Sequence, residues 1–456
     1  MERKTIMDFG RKRQSRNKVR RFRGAALALA LVCAPLFAAW AQQPAASPIP
    51  IAFSARVEPG PHETRLVFTL ASCVAAESYV LDHPARAIVD LPEVNFQIDP
   101  TAGLKPPEKR RRHAHPALAP REGLVASYRF GRLAPGKSRI VIDLSGPAEL
   151  RSATCATNPA GLAELALALA PQAEAAFRAA ARAGAEKQAA AALPAEAAPN
   201  APASGQNQKP IVVLDPGHGG VDIGAMGRDH VLEKIVVLEF AKTLAAKLRD
   251  GGHYEVVLTR EDDTFVPLGE RVRMARKLGA ALFVSLHADA LAGDGSGVQG
   301  ATVYTVSDRA SDAEAARIAE HENSADAAAG VETKEDASDV NDILFDLTRR
   351  ETRAFSHVFA HSLAEYWKVA ARLNKNPRRS AGFVVLKAPD VPSVLLELGY
   401  LSNDADIADL TSAAWRDKAA AQVAHAIDGF LATRLPEKSA APTQGAALKA
   451  TQSTGN

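Results

Sequence analysis

Four residues of this 456-residue chain have the types and settings for metal-assisted hydrolysis: His218, Glu233, His287 and Glu397. His218 stands in the Gly-rich turn that ends IVVLDPGHGG (residues 211–220). The four leading apolar residues read as a buried strand, and Asp215-Pro216-Gly217 stops it abruptly. Glu233 lies early in a helical run, His287 follows a second apolar strand (Ala281 to Leu286), and Glu397 ends a third inside VPSVLLELGY. Two imidazoles and one carboxylate make a catalytic zinc set that leaves a coordination position for water, and a second carboxylate is the usual base. Taken singly, each has a plainer reading, as a loop histidine or a helix-surface glutamate. A carboxylate closing an apolar strand is costly to bury without a partner or a task, which marks Glu397 as the base. Asp215, Asp222 and Asp289 flank these residues. Hydrogen bonding to a ligating imidazole and ordinary turn chemistry both fit them. His230 matches no ligand position and is read as surface.

The elements that must carry these residues alternate. Strand 211–214 precedes a helix over about 232–249, stopped by Gly251-Gly252; strand 255–258 leads to helix 268–278; strands 281–286 and 301–306 follow. This order predicts an α/β catalytic domain over about 210–434, a central sheet flanked by helices, with sites at strand ends. A last helix over about 412–431 packs on the sheet, and 435–456 reads as a disordered tail. Between about 308 and 381 the chain inserts more than a compact connection needs, which points to function. The insert holds an acidic, Ala-rich helical stretch (308–322) and a second one (339–367) with Val340, Leu344, Leu347, Phe355, Val358 and Phe359 on one stripe.

Upstream, the formal charge of +3 misleads. The first 41 residues hold ten Lys/Arg and two Asp/Glu, so the remainder carries 45 basic and 50 acidic side chains, a balance of −5. That removes the main support for a nucleic-acid partner. A basic start, an apolar run over 25–40 and Ala39-Trp40-Ala41 form a signal peptide cleaved after about Ala41. The competing membrane anchor needs roughly 20 apolar residues, more than this Pro35-interrupted run offers, so no stable anchor is expected after cleavage. Arg20-Arg21 leaves the Sec and twin-arginine routes both open. Processing removes Cys33, and in an oxidising compartment Cys73 and Cys155 are expected to form a disulfide, against the alternative of two separate buried thiols.

Residues 48–158 contain TRLVFTL, ARAIVDLP, GLVASYRF and SRIVIDL, short alternating runs that predict a small all-β sandwich. Lys109 to Arg112, with His113 and His115, read as a solvated basic loop. From 159 to 209 the composition turns to Ala, Pro, Glu and Gln, which predicts a linker that tethers the two domains without docking them.

DPGHGG, the Glu233 helix, SLHAD (285–289) and LLELGYLSN (395–403) together resemble the zinc-dependent N-acetylmuramoyl-L-alanine amidases of bacterial cell-wall turnover and daughter-cell separation. The resemblance, over about 209–434, implies zinc held by His218, Glu233 and His287, with Glu397 passing a proton from water to the leaving amine. VLDHPARAIVDLPEV (80–94) and SRIVIDLSGP resemble the wall- or septum-targeting domain that often precedes such enzymes. Similar inserts carry a helix that blocks the zinc site until an activator of the LytM type displaces it. Such a block needs a carboxylate: Glu322 is the first candidate, then Glu320 and Glu351. The reading implied is a periplasmic hydrolase whose partners are peptidoglycan and an activator protein. A zinc endopeptidase of wall peptides would use the same chemistry, and a catalytically silent wall-binding scaffold is the alternative of another class, although it would have no need of Glu397.

Overall fold

The computed structural model describes residues 48–104, 123–191, 209–291, 297–332 and 343–434. The expected signal peptide, basic loop at 109–115, disordered tail and end of the linker (192–208) fall on residues outside those described.

The N-terminal part is all β, as its alternating runs require. Strands β1 (Ile51–Pro59), β2 (Thr64–Leu70), β3 (Glu77–Leu81), β4 (Arg86–Pro92), β5 (Asn95–Phe96), β6 (Val125–Ala134), β7 (Lys137–Leu144), β8 (Ala148–Thr157) and β9 (Ala163–Pro171) form two sheets, ordered β5-β1-β2-β9-β8 and β3-β4-β7-β6. Their inner faces share one core, in which Leu66, Phe68 and Leu70 meet Ile140, Ile142, Tyr128 and Phe130. Cys73 and Cys155 are joined in a disulfide, with their Cα atoms 5.6 Å apart.

The linker expectation fails over its first half. Ala163–Pro171 is β9, hydrogen-bonded between β2 and β8 in the middle of a sheet, and Glu174–Ala191 is helix α1. The leucines of LALALA (165–170) alternate, so Leu165, Leu167 and Leu169 are all buried, and Phe177 and Ala181 of α1 join the same core. Period-two patterning overrode an Ala-rich composition that by itself reads as spacer.

The second sheet system is mixed and ordered β11-β10-β12-β15-β13-β14, from β10 (Ile211–Pro216), β11 (Glu255–Leu258), β12 (Leu282–His287), β13 (Ala301–Val306), β14 (Leu373–Ala381) and β15 (Ser393–Glu397). All its pairings are parallel except β13 with β15. Val212, Leu214, Leu282, Val284 and Leu286 point to one face, against helices α2 (Glu233–Gly251), α6 (Ile343–Trp367) and α8 (Ala413–Ala432). Val213, Phe283 and Leu395 point to the other, against α3 (Leu268–Lys277), α4 (Ala313–Asn323) and α5 (Ala325–Ala328). Both faces are covered, which is why the strands read as apolar runs. Helix α7 (Asp404–Leu410) leads into α8.

The insert is smaller than expected. Helix α6 is a core element: Phe359, Ala360, Leu363 and Trp367 are buried against the sheet and α8, and β14 extends the sheet beside β13. The expected stripe is not its buried face, since Leu347 and Val358 are exposed; the side chains of Val340 and Leu344 lie outside the described set. Among the described residues of the insert, α4 carries Glu322 to the site.

The two domains are docked. Arg132 of β6 meets Asp262 at 2.7 Å, and Leu81, Ile88 and Val141 of the β domain form one buried cluster with Val221, Phe265 and Ala329.

Candidate metal centre

The register of the sheet brings the chemistry together. Strands β10, β12 and β15 are neighbours, and the pairing of β12 with β15 sets His287 directly opposite Glu397. His218 follows β10 with φ +57°, a left-handed turn held by buried arginines. Arg271 donates to the Pro216 and His218 carbonyls at 2.8 Å, and Arg260 donates to those of Pro216 and Gly217 at 2.9 and 2.7 Å. Neither arginine was read from sequence, yet Arg271 lies between Leu268 and Ala275 on the buried side of α3, a position where a cation needs a reason.

His218, Glu233, His287 and Glu322 are all buried, and one potential ligand atom from each lies within 4.8 Å of the others. His218 Nε2 is 3.1 Å from Glu233 Oε2 and 3.3 Å from Glu322 Oε2. His287 Nδ1 is 3.2 Å from Glu233 Oε1 and 2.9 Å from the same Glu322 Oε2. Glu233 is fixed by the backbone N–H groups of Ala225 and Ala288, which donate to its two oxygens at 2.8 Å. Glu320 and Glu351 are exposed, so among the insert's carboxylates considered, Glu322 is the one brought to the histidines.

The three flanking aspartates divide. Asp222 Oδ2 is 2.8 Å from His218 Nδ1, which orients the ring and turns Nε2 inward. Asp215 faces away, accepting from Thr259, Ser285 and Arg271. Asp289 donates its backbone N–H to Glu397 Oε2 at 3.0 Å, and its carboxylate meets His321 at 3.1 Å. His230 is exposed, as expected, with its ring 2.7 Å from Thr101 Oγ1.

The donor set fits a divalent cation. His218 Nε2, His287 Nδ1 and both Glu322 oxygens are buried without a well-formed hydrogen bond, pointed at one another as ligand atoms are. Burial alone makes it harder to charge the imidazoles. The surrounding carboxylates outweigh this, with Glu233, Asp222 and Glu322 holding His218 well above its ordinary value, while Glu322 and Glu233 raise His287 to about 10. The site thus demands positive charge at its centre, which a metal ion supplies while the imidazoles stay neutral. Burial pushes the Glu397 carboxyl well above its usual range, and Glu322, Asp289 and Glu233 add to the rise against the pull of His287.

A buried centre of two histidines and two carboxylates at the strand ends of an α/β sheet is the constellation of a metal-dependent hydrolase. The family model described as N-acetylmuramoyl-L-alanine amidase matches residues 212–429. The chain is 40% identical over 223 residues to N-acetylmuramoyl-L-alanine amidase AmiA of Escherichia coli, covering 49% of this chain and 76% of that protein. It is 32% identical over 390 residues to AmiC of Neisseria meningitidis serogroup B, covering 83% of this chain and 90% of the relative. A solved catalytic domain of the amidase CwlV from Bacillus (Paenibacillus) polymyxa var. colistinus is 28% identical, with 49% of this chain and 98% of that one covered at a TM-score of 0.35. The chain belongs to the N-acetylmuramoyl-L-alanine amidases, which are hydrolases of an amide bond.

Proposed function

We propose that the protein is an exported, zinc-dependent peptidoglycan hydrolase that cuts the amide between N-acetylmuramic acid and L-alanine during wall turnover and daughter-cell separation, and that it rests in a closed state. The observation that carries this reading is the convergence of Glu322 on both imidazoles beside Glu233 and Glu397. His218, Glu233 and His287 would hold the zinc, which supplies Lewis acidity toward water and the amide carbonyl when bound. Glu397 is the proton carrier. Its Oε2 is anchored by the Asp289 N–H, while Oε1 has no hydrogen-bond partner among the described residues and can accept a proton from attacking water and return it to the departing amine. Asp222 keeps the His218 ring oriented throughout.

Glu322 closes the site by position. It occupies the point where the histidine nitrogens meet, and it takes up the space beside Glu233 in which water would have to sit. An activator of the LytM type would draw the helix away. Export to the periplasm rests on the N-terminal sequence, and among the described residues no helix is long and apolar enough to cross a membrane. The β domain is read as the part that binds the wall.

The test is mass spectrometry of products from purified peptidoglycan. Zinc-loaded Glu322→Ala should release stem peptides that begin with L-alanine, the wild-type protein far fewer, and Glu397→Ala none. Cuts inside the stem peptide would transfer the reading to an endopeptidase. A Glu322→Ala protein no more active than wild type would end the closed-state reading.

A further inference from the structure

The segment that follows Glu322 is gripped by the other domain. Arg86 of β4 and Arg139 of β7 are buried at 2% and 4% exposure, on the β-sandwich face turned toward the catalytic domain. Arg139 is aimed by its own domain, with Nε and Nη2 on the Asp90 carboxylate at 2.6 and 2.9 Å and Nη2 on the Tyr79 hydroxyl at 3.0 Å. Its remaining Nη1 donates to the carbonyls of Ala329 and Gly330 at 3.2 and 2.9 Å. Arg86 donates to the Ala327 carbonyl and meets Glu332 at 3.2 Å. From α1, Gln188 donates to the Gly330 carbonyl at 2.6 Å and accepts from the Glu332 N–H at 2.7 Å. Between these polar contacts Ala329 is wholly buried against Leu81, Ile88 and Val141.

The grip falls where a short helix is weakest. The last carbonyls of a helix have no partner within it, and cationic side chains are the natural donors to them. Ala327 lies in the last turn of α5, Ala329 and Gly330 follow it directly, and all three carbonyls accept hydrogen bonds from side chains of the β domain or α1. The segment behind them is continuous: Ser324 donates its N–H to His321, Ala328 to Ser324, and Ala329 to Ala325, so the turn bearing Glu322 and the gripped turn belong to one hydrogen-bonded unit. On its own domain this unit is held by Asp326, which accepts from the Leu268 N–H at 2.9 Å, and by Asn323, which bonds Gly382 and Val384. The anchorage is therefore shared between the domains.

We propose that the face of the β domain formed by β4, β7 and α1 is the latch of the inhibitory arm: docking of Arg86, Arg139 and Gln188 on residues 327–332 holds Glu322 between His218 and His287, and undocking frees it. This rests on the reading of Glu322 as the block, and it gives the N-terminal domain a second task beside wall binding. Access to the site then depends on how the domains are docked as well as on the arm's own contacts.

The test is hydrogen–deuterium exchange on the full-length, metal-free protein, comparing wild type, Arg139→Ala and Gln188→Ala. Backbone amides over 315–331 should exchange at least tenfold faster in both variants, while those of β2 and β9, on the opposite sheet, stay as protected as in wild type. Arg139 also serves its own sheet, so if Arg139→Ala loosens β2 and β9 too, Gln188→Ala decides, because its side chain forms no ion pair within the β domain. Unchanged exchange over 315–331 in Gln188→Ala, and in an Arg139→Ala that keeps its sheets, overturns the latch. Hydrolysis by zinc-loaded Glu322→Ala, measured in parallel, separates the two ideas. A gain there with an unmoved arm leaves the block and removes the latch, whereas a loosened arm without that gain keeps the latch and removes the block.

Discussion

Asp215, three residues before His218, shows how a charge outside the reacting group supports the site. It is fully buried and binds Thr259 at 2.6 Å, Ser285 at 2.7 Å and Arg271 at 2.8 Å; Arg271 in turn holds the carbonyls of the His218 turn. Burial alone would raise its pKa, but the Arg271 charge and the two hydroxyls prevail and hold it below the usual carboxylate range. The folded pKa is therefore the lower one, so this stabilisation is fully present above the unfolded value of about 3.9 and is lost as pH falls through the folded value. Asp215→Asn, which leaves the Arg271 charge unpaired, should cost about 3 kcal/mol at pH 7. Urea unfolding of the metal-free proteins across pH should show the gap between wild type and variant narrowing below about pH 4. A gap independent of pH would mean that the carboxylate charge is not what stabilises the turn.

Among the elements, the decisive arrangement is three adjacent strands that end together. The apolar runs 211–214, 281–286 and 393–396 are legible as strands because both faces are buried, and they appear as β10, β12 and β15 with ends within two residues of those expected. Their order in the sheet is not legible, since nothing local states that β15, more than a hundred residues after β12, pairs beside it and sets Glu397 opposite His287. The close packing there also explains Gly217. A Cβ on Gly217 would stand 2.4 Å from His287 Cε1, so the glycine makes room for the ring. Gly217→Ala should displace that imidazole and lower metal affinity on the order of 10–100-fold with the fold intact. Calorimetric titration of the metal-free protein with zinc, beside circular dichroism, checks this.

For the whole molecule, the notable result is docking where composition suggested a tether. Gly131 of β6 approaches the Gly220–Val221 backbone so closely that a Cβ would lie 2.4 Å from the Gly220 carbonyl carbon. Backbone packed on backbone cannot give way as a flexible side chain does, so Gly131→Ala should separate the domains while leaving each core whole. Differential scanning calorimetry should then resolve two transitions at temperatures where the docked protein unfolds in one. A single unshifted transition would show that the contact carries little of the coupling.

The sequence by itself determined the chemistry and the local elements: the residue types and settings of His218, Glu233, His287 and Glu397, the alternating strands of both domains, and the expectation that Cys73 pairs with Cys155. These are legible because periodicity, turn residues and donor chemistry are local properties. Only the tertiary structure decided that Glu322, and not Glu320 or Glu351, reaches the histidines, that Asp222 orients His218 while Asp215 binds Arg271, that LALALA (165–170) is an interior strand, and that Arg86 and Arg139 hold the arm. Each of these depends on contacts between residues far apart in the chain, where burial and the loss of water choose among many locally equivalent carboxylates and arginines.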